Sequence, residues 1–142
     1  MNIIIPENIG SELRLLEGTA HVVLEKIMMG KSKTGNPKVT FRYIIDEEME
    51  GYGDGTDIPS AIGETVLETF SLQPQAIFKL NEVFMQVKGE RLPMGEYTPE
   101  QFEEMLNETL TGTEFHLSLE GQIPADGSSD KERTVVVKRE VA

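Results

Sequence analysis

Apolar and polar residues alternate in several stretches of this chain and recur at helical spacing in two others. From Thr19 to Met29 the period is two: Ala20, Val22, Leu24 and Met28 point one way, and His21, Val23, Glu25 and Ile27 the other. This predicts a long strand. Gly30, Gly35, Asn36 and Pro37 then end it and turn the chain through GKSKTGNPK. The next strand sets Val39, Phe41, Tyr43 and Ile45 on one face, with Lys38, Thr40, Arg42 and Ile44 on the other. Two strands joined by a mobile basic turn are expected here. Gly63 to Leu72 is rich in β-branched and aromatic residues and predicts a third strand.

The period then changes. Pro74 suits the first position of a helix, and Ile77, Leu80, Phe84 and Val87, with Val83 beside them, recur at three- and four-residue steps. A helix over 74–88 is predicted, with Gly89 as its stop. Thr98-Pro99-Glu100-Gln101 has the form of a capping box and opens a second helix lined by Phe102, Met105, Leu106 and Leu110. Thr113 to Glu120 alternates again, with Phe115, Leu117 and Leu119 against Glu114, His116 and Ser118. PADGSSD is a turn, and Arg133 to Val141 is the last strand.

The predicted order is three strands, helical matter, then two strands. It fits a mainly β protein, a five-stranded OB-fold-like Greek-key barrel with one or two helices between strands 3 and 4. A twisted antiparallel sheet with helices on one face is the alternative. At 142 residues the whole of 1–142 is expected to be a single domain, with residues 1–15 as a lead-in segment of little periodicity.

Charge changes this picture more than composition does. The formal net charge is -12, yet Lys26 to Arg42 holds Lys26, Lys31, Lys33, Lys38 and Arg42 and no acidic residue. Asp46 to Glu68 holds eight acidic residues and no basic one, and the last strand returns to positive charge with Arg133, Lys138 and Arg139. At physiological salt the Debye length is about 8 Å, so a basic face can act apart from a distant acidic one. No apolar run nears the roughly 18 to 20 residues of a membrane span, so no membrane contact is expected. MNIIIPENIGSEL has no basic segment ahead of an apolar run, and the chain has no cysteine, which together point to the cytoplasm.

Three segments carry a family resemblance: K-S-K-T-G-N-P-K-V-T-F from Lys31 to Phe41, E-T-F-S-L-Q-P from Glu68 to Pro74 leading into Phe78-Lys79-Leu80, and L-T-G-T-E-F from Leu110 to Phe115. In this arrangement the chain resembles small phage-encoded OB-fold proteins of replication and recombination modules that bind single-stranded DNA. The resemblance spans roughly Gly18 to Val137. It implies a single-stranded DNA partner bound with little sequence preference and protected during phage replication or recombination. It also implies that Lys31, Lys33 and Lys38 lie at a lysine-rich contact turn, with replication or recombination proteins as further partners.

Such binding needs cations for phosphates and ring faces for bases, the stacking being worth about 1–3 kcal/mol per base. Lys26, Lys31, Lys33, Lys38 and Arg42 supply the first, joined by Arg133 and Lys138 from the last strand. Tyr43, Tyr52 and Phe70 are the ring candidates. Core packing competes for Tyr43, which shares a face with Val39 and Ile45, and the inward face of the Phe70 strand stays open. Arg133, Lys138 and Arg139 also suit edge-strand guards against aggregation. Two exposed barrel edges and the apolar VVVKREVA favour self-association. Catalysis is not expected: no serine, histidine and acid share a nucleophile context. No cofactor is expected either, because His21 and His116 lack zinc-type spacing and DEEMEGYGDGTD does not fit a calcium loop. The alternative function is an acidic interaction module, in which Glu100, Glu103, Glu104 and Glu108 would face a basic partner protein.

Overall fold

The computed structural model describes residues 2–3, 15–49, 60–123 and 131–142. Most of the lead-in, most of the acidic loop with Tyr52, and the PADGSSD turn lie outside the described residues. The elements are β1 (Gly18–Lys31), β2 (Pro37–Ile45), β3 (Thr65–Ser71), α1 (Phe78–Lys88), α2 (Pro99–Leu110), β4 (Glu114–Gln122) and β5 (Arg133–Val141). The strands form one five-stranded antiparallel sheet in the order β3-β2-β1-β4-β5. The protein is thus mainly β, with both helices between the third and fourth strands. No helix among the described residues is long and apolar enough to cross a membrane.

Alternation holds along β2 and β4, where Val39, Phe41, Tyr43 and Ile45 and then Phe115, Leu117 and Leu119 are buried. It breaks in β1. The register with β2 slips between Leu24 and Lys26, so Glu25 is an extra residue in the ladder. From there every side chain changes face. Ile27, expected on the face opposite Leu24, is fully buried as Leu24 is, and Met28, expected with Leu24, lies on the outer face opposite Thr40.

The first helix is shorter than its periodicity predicts. Pro74 to Ile77 form a turn in which the Ala76 and Ile77 amides both donate to the Gln73 carbonyl, and α1 proper begins at Phe78 with no side-chain cap. Leu80, Val83 and Phe84 bury its inner face. The capping box of α2 forms as its sequence predicts: Gln101 N donates to Thr98 Oγ1 at 3.2 Å, and Thr98 N donates to Gln101 Oε1 at 3.0 Å.

Helix α2 also completes the sheet. β4 pairs with β1 only from Gly18 to Val23. Next along β1, Leu24 exchanges hydrogen bonds with the turn before β4, from Leu24 N to Thr113 O and from Gly112 N to Leu24 O. Beyond it, side chains of α2 take the place of a neighbouring strand. Asn107 Oδ1 accepts from Ile27 N at 3.0 Å while its Nδ2 donates to Ile27 O at 2.8 Å, as a peptide group would. Glu103 Oε2 accepts from Met29 N at 2.8 Å. The side-chain amide thus satisfies backbone groups that would otherwise be buried without partners.

The two edge strands, β3 and β5, meet through side chains. Arg139 of β5 points inward and grips Glu68 of β3, with Nε donating to Oε1 at 3.0 Å and a terminal guanidinium nitrogen donating to Oε2. Tyr43 Oη donates to the same Oε1 at 2.7 Å, and the guanidinium lies 5.2 Å from the centre of the Phe70 ring. Burial raises the Tyr43 phenol above its ordinary range, and nearby Arg139 opposes that rise. The phenol therefore stays protonated, and a hydrogen-bond donor, at neutral pH.

Candidate nucleic-acid interface

The β1–β2 hairpin ends in a turn that its own residues tie together. Ser32 N donates to Asn36 O at 2.8 Å, Gly35 N to Ser32 O at 2.9 Å, and Asn36 N to Ser32 Oγ at 3.1 Å. Asn36 Nδ2 adds a bond to Thr34 Oγ1. Gly35 has φ +85°, a backbone state that favours glycine. The sequence suggested a mobile turn; the structure shows a hydrogen-bonded one that carries Lys31 and Lys33 out from the ends of the strands.

Below the turn, register lines up the cations. Lys26 stands opposite Arg42, and Lys38 opposite Gly30 and Ser71. The Lys38 stem lies over Gly30, where a Cβ would meet Lys38 Cε at 3.6 Å, an ordinary van der Waals contact. Met28, Thr40, Leu67 and Thr69 fill the same outer face, with a hydroxyl contact of 3.2 Å between Thr40 and Thr69. Arg42 pairs with Glu25 at 3.6 Å, both side chains being 43% exposed. No described carboxylate forms an ion pair with Lys26, Lys31 or Lys38. The bulge that inserts Glu25 also sets Lys26 beside Arg42, so one irregularity shapes the face.

The ring candidates do not reach this face. Tyr43 is fully buried and Phe70 is 4% exposed. Phe41 packs 4.8 Å from Phe70 and Tyr43 5.8 Å from Phe115, ring centre to ring centre, within the core. This corrects the stacking role expected for Tyr43 and Phe70: their positions alternate inward with Val39 and Val66, and neither of these two rings is open to a base. Tyr52 lies outside the described residues. The exposed apolar groups on the face are aliphatic, with Leu67 55% exposed and Met28 half-buried. Sequence reasoning missed both, although Leu67 alternates with the inward Val66 and Glu68.

Nor do all the cations gather. Lys138 lies on β5, separated from β2 in the sheet by β1 and β4, and its Nζ pairs with Glu140 at 3.0 Å. Arg133 begins the same strand, opposite Gln122. Five of the seven expected cations, Lys26, Lys31, Lys33, Lys38 and Arg42, therefore belong to one hairpin, and Arg133 and Lys138 do not join them.

No protein-family model matches this sequence, and no curated protein matches it. The geometry of the chain itself therefore carries the functional assignment.

A second polar group occupies the outer face around β1 and β4. His21 Nδ1 lies 2.6 Å from Asp46 Oδ1 and 3.9 Å from Glu47. Its Nε2 lies 3.8 Å from Glu114 Oε1, and the His116 ring meets it edge to face at 5.2 Å. The hydrogen bond to Asp46 raises the imidazole above its ordinary 6.5; burial opposes this, and the charges of Asp46, Glu47 and Glu114 add to it. A raised folded value contributes stability that is complete below the unfolded value, about pH 6.5, and is lost as pH rises through the folded value. His21→Gln, in buffer with a chelator, should therefore unfold at lower urea than the parent near about pH 6, and the gap should narrow toward about pH 9. A gap that stays constant would contradict the assignment.

Proposed function

We propose that this chain is an OB-fold-type protein that holds single-stranded DNA by its phosphates along the hairpin of Lys26, Lys31, Lys33, Lys38 and Arg42. The element order supports the barrel, as does the Arg139–Glu68 contact between the two edge strands, where an OB-type sheet would close. The observation that carries the function is the gathering of five cations on one hairpin of a chain with net charge -12, Lys26, Lys38 and Arg42 on its outer face and Lys31 and Lys33 at its turn. With no aromatic ring among the described residues of that face, phosphate contact is the main source of affinity. Met28 and Leu67 offer bases an aliphatic platform. Binding is then tolerant of sequence and strongly dependent on salt, as suits transient cover of single strands during phage replication or recombination in the host cytoplasm.

Fluorescence anisotropy with a labelled oligothymidine tests this. Single-strand affinity falls with a log–log salt slope of about -0.7 per neutralised phosphate, so four contacts lose about fiftyfold between about 50 and 200 mM salt. Lys31→Glu, Lys33→Glu and Lys38→Glu together should flatten the slope by about 2 and weaken binding at least about tenfold at low salt. No binding at tens of micromolar, about -6 to -7 kcal/mol, would refute the proposal. In that case Glu100, Glu104 and Glu108, an exposed ridge at four-residue spacing on α2, become the surface for a basic partner protein. Glu103 has no place in that ridge, because it holds the Met29 amide.

A further inference from the structure

The two histidines are far apart in sequence and directly opposite in the sheet. His21 of β1 pairs in register with His116 of β4, and the two rings meet at 5.2 Å. Glu114 lies two residues before His116, so strand alternation puts both on the same face. Asp46 arrives from the end of β2, where its amide donates to His21 O at 3.3 Å and its carboxylate takes the Nδ1 side of the ring at 2.6 Å. One donor atom each from His21, Asp46 and Glu114 lies within 4.8 Å of the others.

This is the arrangement around a metal-binding imidazole. A carboxylate on one ring nitrogen fixes the tautomer and aims the other nitrogen's lone pair outward. Here the aimed atom is His21 Nε2, and it faces Glu114 Oε1 across 3.8 Å. A cation with bonds of about 2.0–2.2 Å to imidazole nitrogen and carboxylate oxygen spans that gap. His116, exposed beside it, brings a second imidazole by side-chain rotation. Two imidazoles and a carboxylate select zinc-class ions over magnesium or calcium, which prefer all-oxygen shells.

We propose that His21 Nε2, His116 and the Glu114 carboxylate bind one zinc-class divalent cation, with Asp46 as the outer carboxylate that orients His21. The ion would tie β1, β4 and the segment after β2 together on the outer face, away from the lysine hairpin. The site is independent of whether the chain binds DNA.

The full chain, stripped with a chelator, is titrated with Zn²⁺ by calorimetry and with Co²⁺ by visible absorption. One equivalent should bind, with the intense visible bands of four-coordinate cobalt, and Zn²⁺ should raise the unfolding temperature. His21→Gln and His116→Gln should each weaken binding at least about tenfold, and Asp46→Asn by about 10–100-fold. Glu104→Gln, on the exposed side of α2, should leave the affinity unchanged. His116 is exposed, so its variant should fold, as circular dichroism will check, and the test does not depend on the His21 variant. Absence of one-to-one binding up to about 100 µM, near -5.5 kcal/mol, overturns the proposal. So does affinity that His116→Gln leaves within about tenfold of the parent.

Discussion

Arg139→Met is expected to lower folding stability by about 3–5 kcal/mol. The variant keeps the stem of the side chain and removes its charge. The Glu68 carboxylate, its side chain 9% exposed, is then left with the Tyr43 hydroxyl alone among the described residues. An ionised carboxylate in that setting must either stay charged without a cation or take up a proton, and each course costs folding energy. Urea denaturation followed by far-ultraviolet circular dichroism measures the loss. The double variant Glu68→Leu with Arg139→Met should recover most of it, because the uncompensated charge goes with its partner. A double variant as unstable as the single one would show that the guanidinium acts by packing over Phe70. The Arg42–Glu25 pair makes the contrast. Both of its side chains are 43% exposed at 3.6 Å, and Glu25→Gln should cost no more than about 1 kcal/mol.

Asn107→Ala should cost about 2–4 kcal/mol, a large effect for a half-buried polar residue. The substitution adds no strain, since alanine suits a helix. It leaves Ile27 N and Ile27 O without the amide that pairs with both, and each buried unpaired group is worth about 1–3 kcal/mol. Hydrogen exchange locates the effect. The Ile27 amide should lose protection well beyond the global change, while amides in the β2–β3 ladder follow global stability. Equal loss across the sheet would mean that Asn107 acts only on the helix, through its bond to Glu103 O.

Much of the architecture was legible in the sequence because it rests on local period. The last strand was predicted from Arg133 to Val141 and has those bounds. The Thr98 box opens α2 where predicted. What escaped depends on contacts between distant elements. Nothing near Glu25 announces a bulge, yet it exchanges the faces of Ile27 and Met28. Arg139 sits among charged residues in VVVKREVA and looks like a surface cation; its partner Glu68 is 71 residues away. Asn107 sits among polar residues of an amphipathic helix, and its role exists only once β4 has left β1. That the lysines share one hairpin was legible, because the strand–turn–strand pattern is local; that Lys26 stands beside Arg42 was not, because it depends on the bulge at Glu25. The burial of Tyr43 and Phe70 was not, because alternation says which residues share a side and leaves open which side faces inward.

The substitution of α2 for a strand along β1 has a consequence for the chain in crowded surroundings. An unpaired run of backbone donors and acceptors invites another polypeptide to dock by strand addition. Asn107 and Glu103 occupy Ile27 and Met29, so that stretch offers no template. Helix α2 is thus a guard against self-assembly, and substitutions that loosen it should favour fibrous or swapped species before they unfold the monomer.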